Sequence, residues 1–148
     1  MNTPRPTRDS YVAWRTATTR WRDDDAYGHL NNATYYELFD TAVNAHLYEA
    51  TGVDVRALPE IGVVAETSCR YFREIGFPEP IEMGMVVDKV GRSSVIYRIG
   101  LFQGDSDEAA AEGRFVHVYV DNTDGAGQRA VRPIPAVIRA VVEPLLLD

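Results

Sequence analysis

One segment constrains the chain more than any other. Between residues 33 and 51, Tyr35, Leu38, Phe39, Ala42, Val43, His46 and Ala50 fall at i, i+3, i+4 spacing and so share one face of a helix. Glu37, Asp40, Thr41, Asn44 and Glu49 lie largely on the other side. Asn31 or Asn32 supplies an N-cap, and Gly52 stands where a left-handed residue closes the helix. A long helix with one apolar stripe needs a surface to cover it, and the sequence that follows is strand-forming. Residues 63–72, 81–90, 93–102 and 110–121 are each bounded by turn residues. Gly91-Arg92 and Gly104-Asp105-Ser106-Asp107 read as hairpin turns, and Asp124-Gly125-Ala126-Gly127 as a further turn. Ahead of the helix, residues 11–21 are rich in aromatic and β-branched types and read as another strand. Pro133-Ile134-Pro135 leads into a short amphipathic helix over 136–147. This order predicts an α+β fold, one helix packed on an antiparallel sheet. Residues 1–9, polar and carrying Pro4 and Pro6, are expected to form a flexible arm.

The chain of 148 residues is one domain, 1–148, large enough to bury a core without a staple. Cys69 is the single cysteine, which excludes an internal disulfide and a zinc site made of cysteine pairs. No apolar run approaches the ~18 residues of a membrane span, and no apolar h-region follows Met1, so a soluble, cytoplasmic protein is expected. The net charge of -7 argues against a nucleic-acid partner. The basic residues are almost all arginine, with Lys89 the single lysine.

Residues 23–32, Asp-Asp-Asp-Ala-Tyr-Gly-His-Leu-Asn-Asn, concentrate carboxylates, an imidazole and two amides at the entry to the long helix. The first turn of a helix has backbone N–H groups without partners and the positive end of the dipole, a setting that stabilises an oxyanion. A carboxylate, with an ordinary pKa of ~3.9, is ionised at neutral pH and suits a base or nucleophile. Together these are the minimum for acyl transfer. Equally, three acids in a row are ordinarily a solvated turn, and Asp or Asn before a helix an ordinary cap. From the residues alone both readings stand.

Residues 21–36 resemble the signature of the 4-hydroxybenzoyl-CoA thioesterase family of hotdog-fold enzymes. That signature is an arginine and aromatic strand end, then Asp-x-Asp-x-x-Gly-His-x-Asn-Asn, then a helix opening with x-x-Tyr. Asp23, Asp25, Gly28, His29, Asn31, Asn32 and Tyr35 supply it in register. Val63-Val64-Ala65-Glu66, Tyr71, Gly91-Arg92-Ser93-Ser94 and Arg132-Pro133-Ile134-Pro135 also sit where relatives carry similar residues. The resemblance implies a hotdog fold, a long central helix wrapped by a curved antiparallel sheet, and hydrolysis of an acyl-CoA thioester. It implies Asp25 as the catalytic carboxylate and the backbone N–H of Asn32 facing the thioester oxygen. His29 and Tyr35 become supporting residues that shape the pocket or orient Asp25. It further implies a homodimer or homotetramer with sites at the interface, and neither cofactor nor metal. Because CoA is a polyanion and the chain is acidic, a local basic patch is required; Lys89, Arg92 and Arg132 are the expected phosphate contacts. Some relatives carry proline after the catalytic aspartate. This chain has Ala26 there and a third acid, Asp24, so which carboxylate points inward stays open.

Several other residues carry side chains capable of chemistry. Glu37 is the fallback carboxylate, since some hotdog thioesterases place a catalytic glutamate on the long helix, and Glu66 is a second candidate. His46 is expected to be a satisfied core histidine, His117 a packing residue between Phe115 and Tyr119, and Cys69 buried and inert. Two alternatives compete with hydrolysis. A hydratase or dehydratase on the same fold resembles Asp-x-Asn-Pro-x-His; Asp24 and His29 have that spacing, but the Asn-Pro pair is missing. A non-catalytic acyl-CoA binding protein would ordinarily carry an output domain. The identity of the acyl group stays open.

Overall fold

The computed structural model describes residues 4–123 and 129–147. Residues 1–3 of the expected arm and the turn at 124–127 lie outside the described residues. The helical stripe forms α1, Asn32–Thr51. Asn31 caps it, its side chain accepting from the Ala33 N–H at 2.9 Å, and Gly52 closes it in the left-handed region at φ 70 with its N–H donating to the Tyr48 carbonyl. Tyr35, Phe39, Ala42, Val43 and Leu47 are the apolar residues it buries. Leu47 takes the core position that periodicity gives to His46. The His46 ring instead sits half-buried, Nε2 3.1 Å from the carbonyl of Val141, and Ala50 is exposed.

Five strands follow the expected pattern: β1 Ala13–Ala17, β2 Glu60–Tyr71, β3 Ile81–Val90, β4 Ser94–Phe102 and β5 Ala111–Asp121. They form one sheet in the order β1-β3-β4-β5-β2, with every neighbouring pair antiparallel. The sheet curves around α1, which is the hotdog fold. Met83, Met85 and Val87 of β3, Val95, Tyr97, Ile99 and Leu101 of β4, and Phe115 and Tyr119 of β5 are buried in the same core as α1. Tyr97, Phe115, His117 and Tyr119 meet edge to face, with centroids 5.0–6.4 Å apart. Gly113 is where the helix comes closest. A Cβ there would stand 2.4 Å from Cε2 of Phe39, so only glycine lets the ring reach the strand. β2 is a sheet edge, and a register shift between Val64 and Glu66 leaves Ala65 unpaired with β5.

Four further sequence expectations need correction. Residues 4–9 are tied down rather than loose. The Pro6 carbonyl accepts from Ala109 N–H at 2.8 Å, and the Arg8 N–H donates to Asp107 O at 3.1 Å. The Arg8 guanidinium lies 4.8 Å from the Phe102 ring centroid and 3.0 Å from Glu82. These are long-range contacts with no local sequence signal. The strand expected over 11–21 is short, because Tyr11 turns to the outer face. There its hydroxyl donates to Glu112 at 2.5 Å, and Trp21–Asp23 make a 3-10 turn. The C-terminal helix is α2, Ala136–Val142, followed by a 3-10 turn at Glu143–Leu145. Pro144 has no N–H to continue the helix. Cys69 is only half-buried, though burial pushes its thiol up to about 11, consistent with an inert group. Among the described residues no helix is long and apolar enough to cross a membrane.

Two outcomes follow from this packing. Gly113→Ala should cost about 1–3 kcal/mol by overpacking and lower Tm by several degrees in calorimetry; an unchanged Tm would mean that Phe39 has room to move. Burial pushes the His117 imidazole down from 6.5 to about 4, so between those values the unfolded chain binds a proton that the folded one does not. Stability should therefore be fully present above pH 6.5 and fall on acidification, by up to about 1.4 kcal/mol per pH unit. Denaturant titrations at pH 7, 6 and 5 should show this slope in the native chain and a shallower one in His117→Phe.

Candidate active site

The three consecutive aspartates at the mouth of α1 have three different partners. Asp23 is buried. Burial pulls its carboxyl up, but the Arg20 guanidinium at 2.8 Å and the Arg20 N–H at 2.8 Å overcome this and hold it below the ordinary carboxylate range. The Asp23 carbonyl accepts from the Asn31 N–H at 2.7 Å, and so ties the 3-10 turn to the helix cap. Asp24 turns away, its Oδ1 accepting from the Phe77 N–H at 3.0 Å. Asp25 is exposed and faces a groove of about 740 Å3. Its Oδ1 accepts from the N–H groups of Tyr27 at 2.8 Å and His29 at 3.3 Å, the geometry of an Asx turn, while its own N–H donates to the His29 carbonyl at 2.8 Å. Gly28, at φ 80, makes the reversal possible. The backbone bonds hold the carboxylate through one oxygen only.

The rest of the groove comes from two places. Tyr27, His29, Leu30, Asn32 and Tyr35 are contributed by the loop and the first turn of α1, and Tyr71, Phe72, Arg73 and Glu74 by the end of β2 and the residues beyond it. The His29 Nε2 lies 2.9 Å from Glu74. The Tyr71 hydroxyl donates to the Asn32 side chain, and its ring meets Tyr35 edge-on at 5.0 Å. Burial raises the Tyr35 phenol to about 12, so it stays protonated at neutral pH. In the first turn, Ala33 donates to the Asn31 side chain and Thr34 to the Asn31 carbonyl. The first-turn N–H that neither bond takes is that of Asn32, which lines the groove. A carboxylate and a helix N-terminus thus border one cleft, an arrangement able to activate a nucleophile and stabilise an oxyanion. Among the described residues no cluster of three or more His, Cys, Asp or Glu is placed to hold a metal ion.

Asp25, His29, Asn32 and Tyr35 are therefore brought together. Lys89, Arg92 and Arg132 are not beside them. All three are exposed near the β3–β4 turn, and the Arg92 carbonyl accepts from Ile134 N–H at 2.9 Å. That end of the sheet is the far end from the groove, about 30 Å away along β3. Arg132 pairs with Asp121 at 3.5 Å. Arg73 is the cation that lines the groove itself, and nothing in its local sequence marks it. Glu37 opens onto a different cleft with Arg15, Arg20 and Thr34, and Glu66 pairs with Arg114. Neither borders the Asp25 groove.

A family model described as the thioesterase-like superfamily matches residues 19–142. The PA5185 protein of Pseudomonas aeruginosa has a solved structure 43% identical in sequence, covering 98% of this chain and 99% of its own, with a TM-score of 0.89. The BH1999 gentisyl-coenzyme A thioesterase is 20% identical over 88% of this chain and 99% of its own, at a TM-score of 0.74. Slr0204 of Synechocystis, a 1,4-dihydroxy-2-naphthoyl-CoA thioesterase, is 11% identical over 89% and 96%, at 0.77. The latter two are alike in fold. No curated protein matches the chain in sequence.

Asp23→Ala should loosen the corner without touching the groove. Removing the carboxylate that accepts from the part-buried Arg20 N–H and its guanidinium costs about 1–3 kcal/mol. A lower Tm with faster amide exchange at Asn31 is expected; unaltered exchange there would show that Asp23 does not hold the helix entry.

Proposed function

We propose that this chain, which belongs to the thioesterase-like superfamily, hydrolyses an acyl-CoA thioester to the free acid and CoA, with Asp25 as the reacting carboxylate. The observation that carries the reading is the shared groove of Asp25 and the first turn of α1. Acting as a base, Asp25 takes a proton from water as the water oxygen bonds to the thioester carbonyl carbon; the C–S bond then breaks, and the departing CoA sulfur takes that proton and restores the carboxylate. Acting as a nucleophile, an Asp25 oxygen bonds to the carbonyl carbon as the C–S bond breaks and CoA leaves as the thiolate; water then cleaves the resulting anhydride, releasing the acid and restoring the carboxylate. In either case the Asn32 N–H receives the oxyanion, and the helix dipole adds to it. His29, held by Glu74, and Tyr35, locked against Tyr71, shape the walls. The fold neighbours named for gentisyl-CoA and 1,4-dihydroxy-2-naphthoyl-CoA act on CoA thioesters, which supports CoA as the leaving group. The hydratase reading is disfavoured, since it would use Asp24 with His29, and the Asp24 carboxylate is turned to Phe77.

The working unit we propose is a pair of chains, or two such pairs, joined along β2. This edge strand is twelve residues long and exposes Val63 and Val64, a surface that soluble proteins normally cover. Antiparallel pairing of β2 with its copy sets the Tyr71 end of one chain against the Gly62 end of the other. Lys89, Arg92 and Arg132 of one chain then approach the Asp25 groove of its partner, where they can meet CoA phosphates.

Thiol release from acyl-CoA should fall ~10²–10⁴-fold in Asp25→Asn with the fold retained, and much less in Asp24→Asn. An inactive Asp24 variant beside an active Asp25 variant would overturn the assignment. Arg92→Ala should raise KM by up to about five-fold with little change in kcat, most strongly at low salt. The defect should vanish with an N-acetylcysteamine thioester, which lacks the nucleotide; equal loss on both substrates would assign Arg92 a structural role.

A further inference from the structure

A second recess lies apart from the groove. It sits where α1, α2 and the 3-10 turn Val55–Ala57 meet the β2–β5 seam, and it measures about 160 Å3. Leu47 of α1 stands twelve residues beyond Tyr35, so the two sites are about 18 Å apart along the helix. Leu47, Leu58, Ile61 and Ile138 make its walls apolar. Gly62 opens it, since a Cβ there would stand 2.9 Å from Nδ1 of His117 and 3.2 Å from Cζ of Tyr119.

Within this apolar shell one polar atom has no partner. His117 is 3% exposed, and its Nδ1 makes no hydrogen bond among the described residues. Buried polar groups ordinarily find partners, so the orphan Nδ1 in the wall of this recess points to a ligand that completes its bonding. The neighbouring polar side chains do not supply it. The Asn44 amide donates to Asp40, and the Arg56 guanidinium is taken by Asp54 and Tyr48.

We propose that this recess binds a phenol-sized group, one apolar ring carrying a hydroxyl that bonds to Nδ1 of His117. The volume matches a cavity of ~150 Å3 that admits benzene. A hydroxyl both donates and accepts, so it serves either imidazole tautomer. An ionic ligand is disfavoured, because the walls are apolar and the one guanidinium at the rim is already paired. This inference does not depend on thioester chemistry at Asp25, and its failure would leave that reading intact.

The test uses the full chain with p-cresol and toluene, matched in size and differing in the hydroxyl. Titrations are followed by calorimetry and by the His117 ring resonances. p-Cresol should bind about ten-fold more tightly than toluene and shift those resonances. His117→Phe should erase the preference while toluene still binds, and Gly62→Val should abolish both. Should either variant fail to fold, the comparison of the two ligands on the native chain decides. Equal affinity for both, the absence of saturable binding, or shifts confined to the Asp25 loop would each overturn the proposal.

Discussion

The ring of Phe39 occupies the space where a side chain at position 113 would begin, and the rest of the molecule is arranged around that contact. It seats the middle of α1 directly on β5, the strand that joins β4 to β2. The missing Cβ lets helix and strand approach closely at this point. The aromatic ladder of Tyr97, Phe115, His117 and Tyr119 continues the contact surface toward the other end of the helix. With the axis of α1 fixed in this way, its first turn has one available position, beside the end of β2.

The chemistry at the helix entry depends on that positioning and on a division of labour among neighbouring residues. Asp23 gives up exposure to bind Arg20 and carry the Asn31 cap, and Asp24 anchors the facing loop at Phe77. Only Asp25 is left to face the groove, and it is held by main-chain donors, which cannot change rotamer. Three adjacent residues of one type therefore do separate jobs because the backbone presents each to a different neighbour. The Tyr71 bond to Asn32 ties the helix start to the edge strand, so a shift of β2 would move the proposed oxyanion donor as well.

The parts of this design governed by local periodicity are visible in the sequence. The extent of α1, its Asn and Gly caps, the turn at Gly91 and the bounds of β3 all follow from spacing and turn chemistry. The motif around Asp25 and its order relative to Asn32 and Tyr35 are legible because they lie within a dozen residues. Arg73 and Glu74 are not, and Tyr71 is marked only by the resemblance, since all three enter the groove through strand pairing some forty residues later. The same limit hides the docking of Pro6 and Arg8 against the 104–109 loop, and of Tyr11 on Glu112. A polar, proline-bearing terminus looks unattached until the acceptors far along the chain are in place. The three Asp side chains are a subtler case, because the residue type gives no indication of direction and only the loop geometry separates them.

The strand order has a consequence for the sequence of events in folding. β3, β4 and β5 are joined by short connections and can pair as they are made, but β2 must wait for β5, which ends fifty residues after β2 does. During synthesis α1 leaves the ribosome ahead of every strand that covers its apolar face except β1, and the Phe39 seat at Gly113 is complete only once β5 has emerged. Throughout that interval the nascent chain presents a sticky helix followed by an unpaired strand. It is β5, rather than the strands made before it, that completes the native strand order.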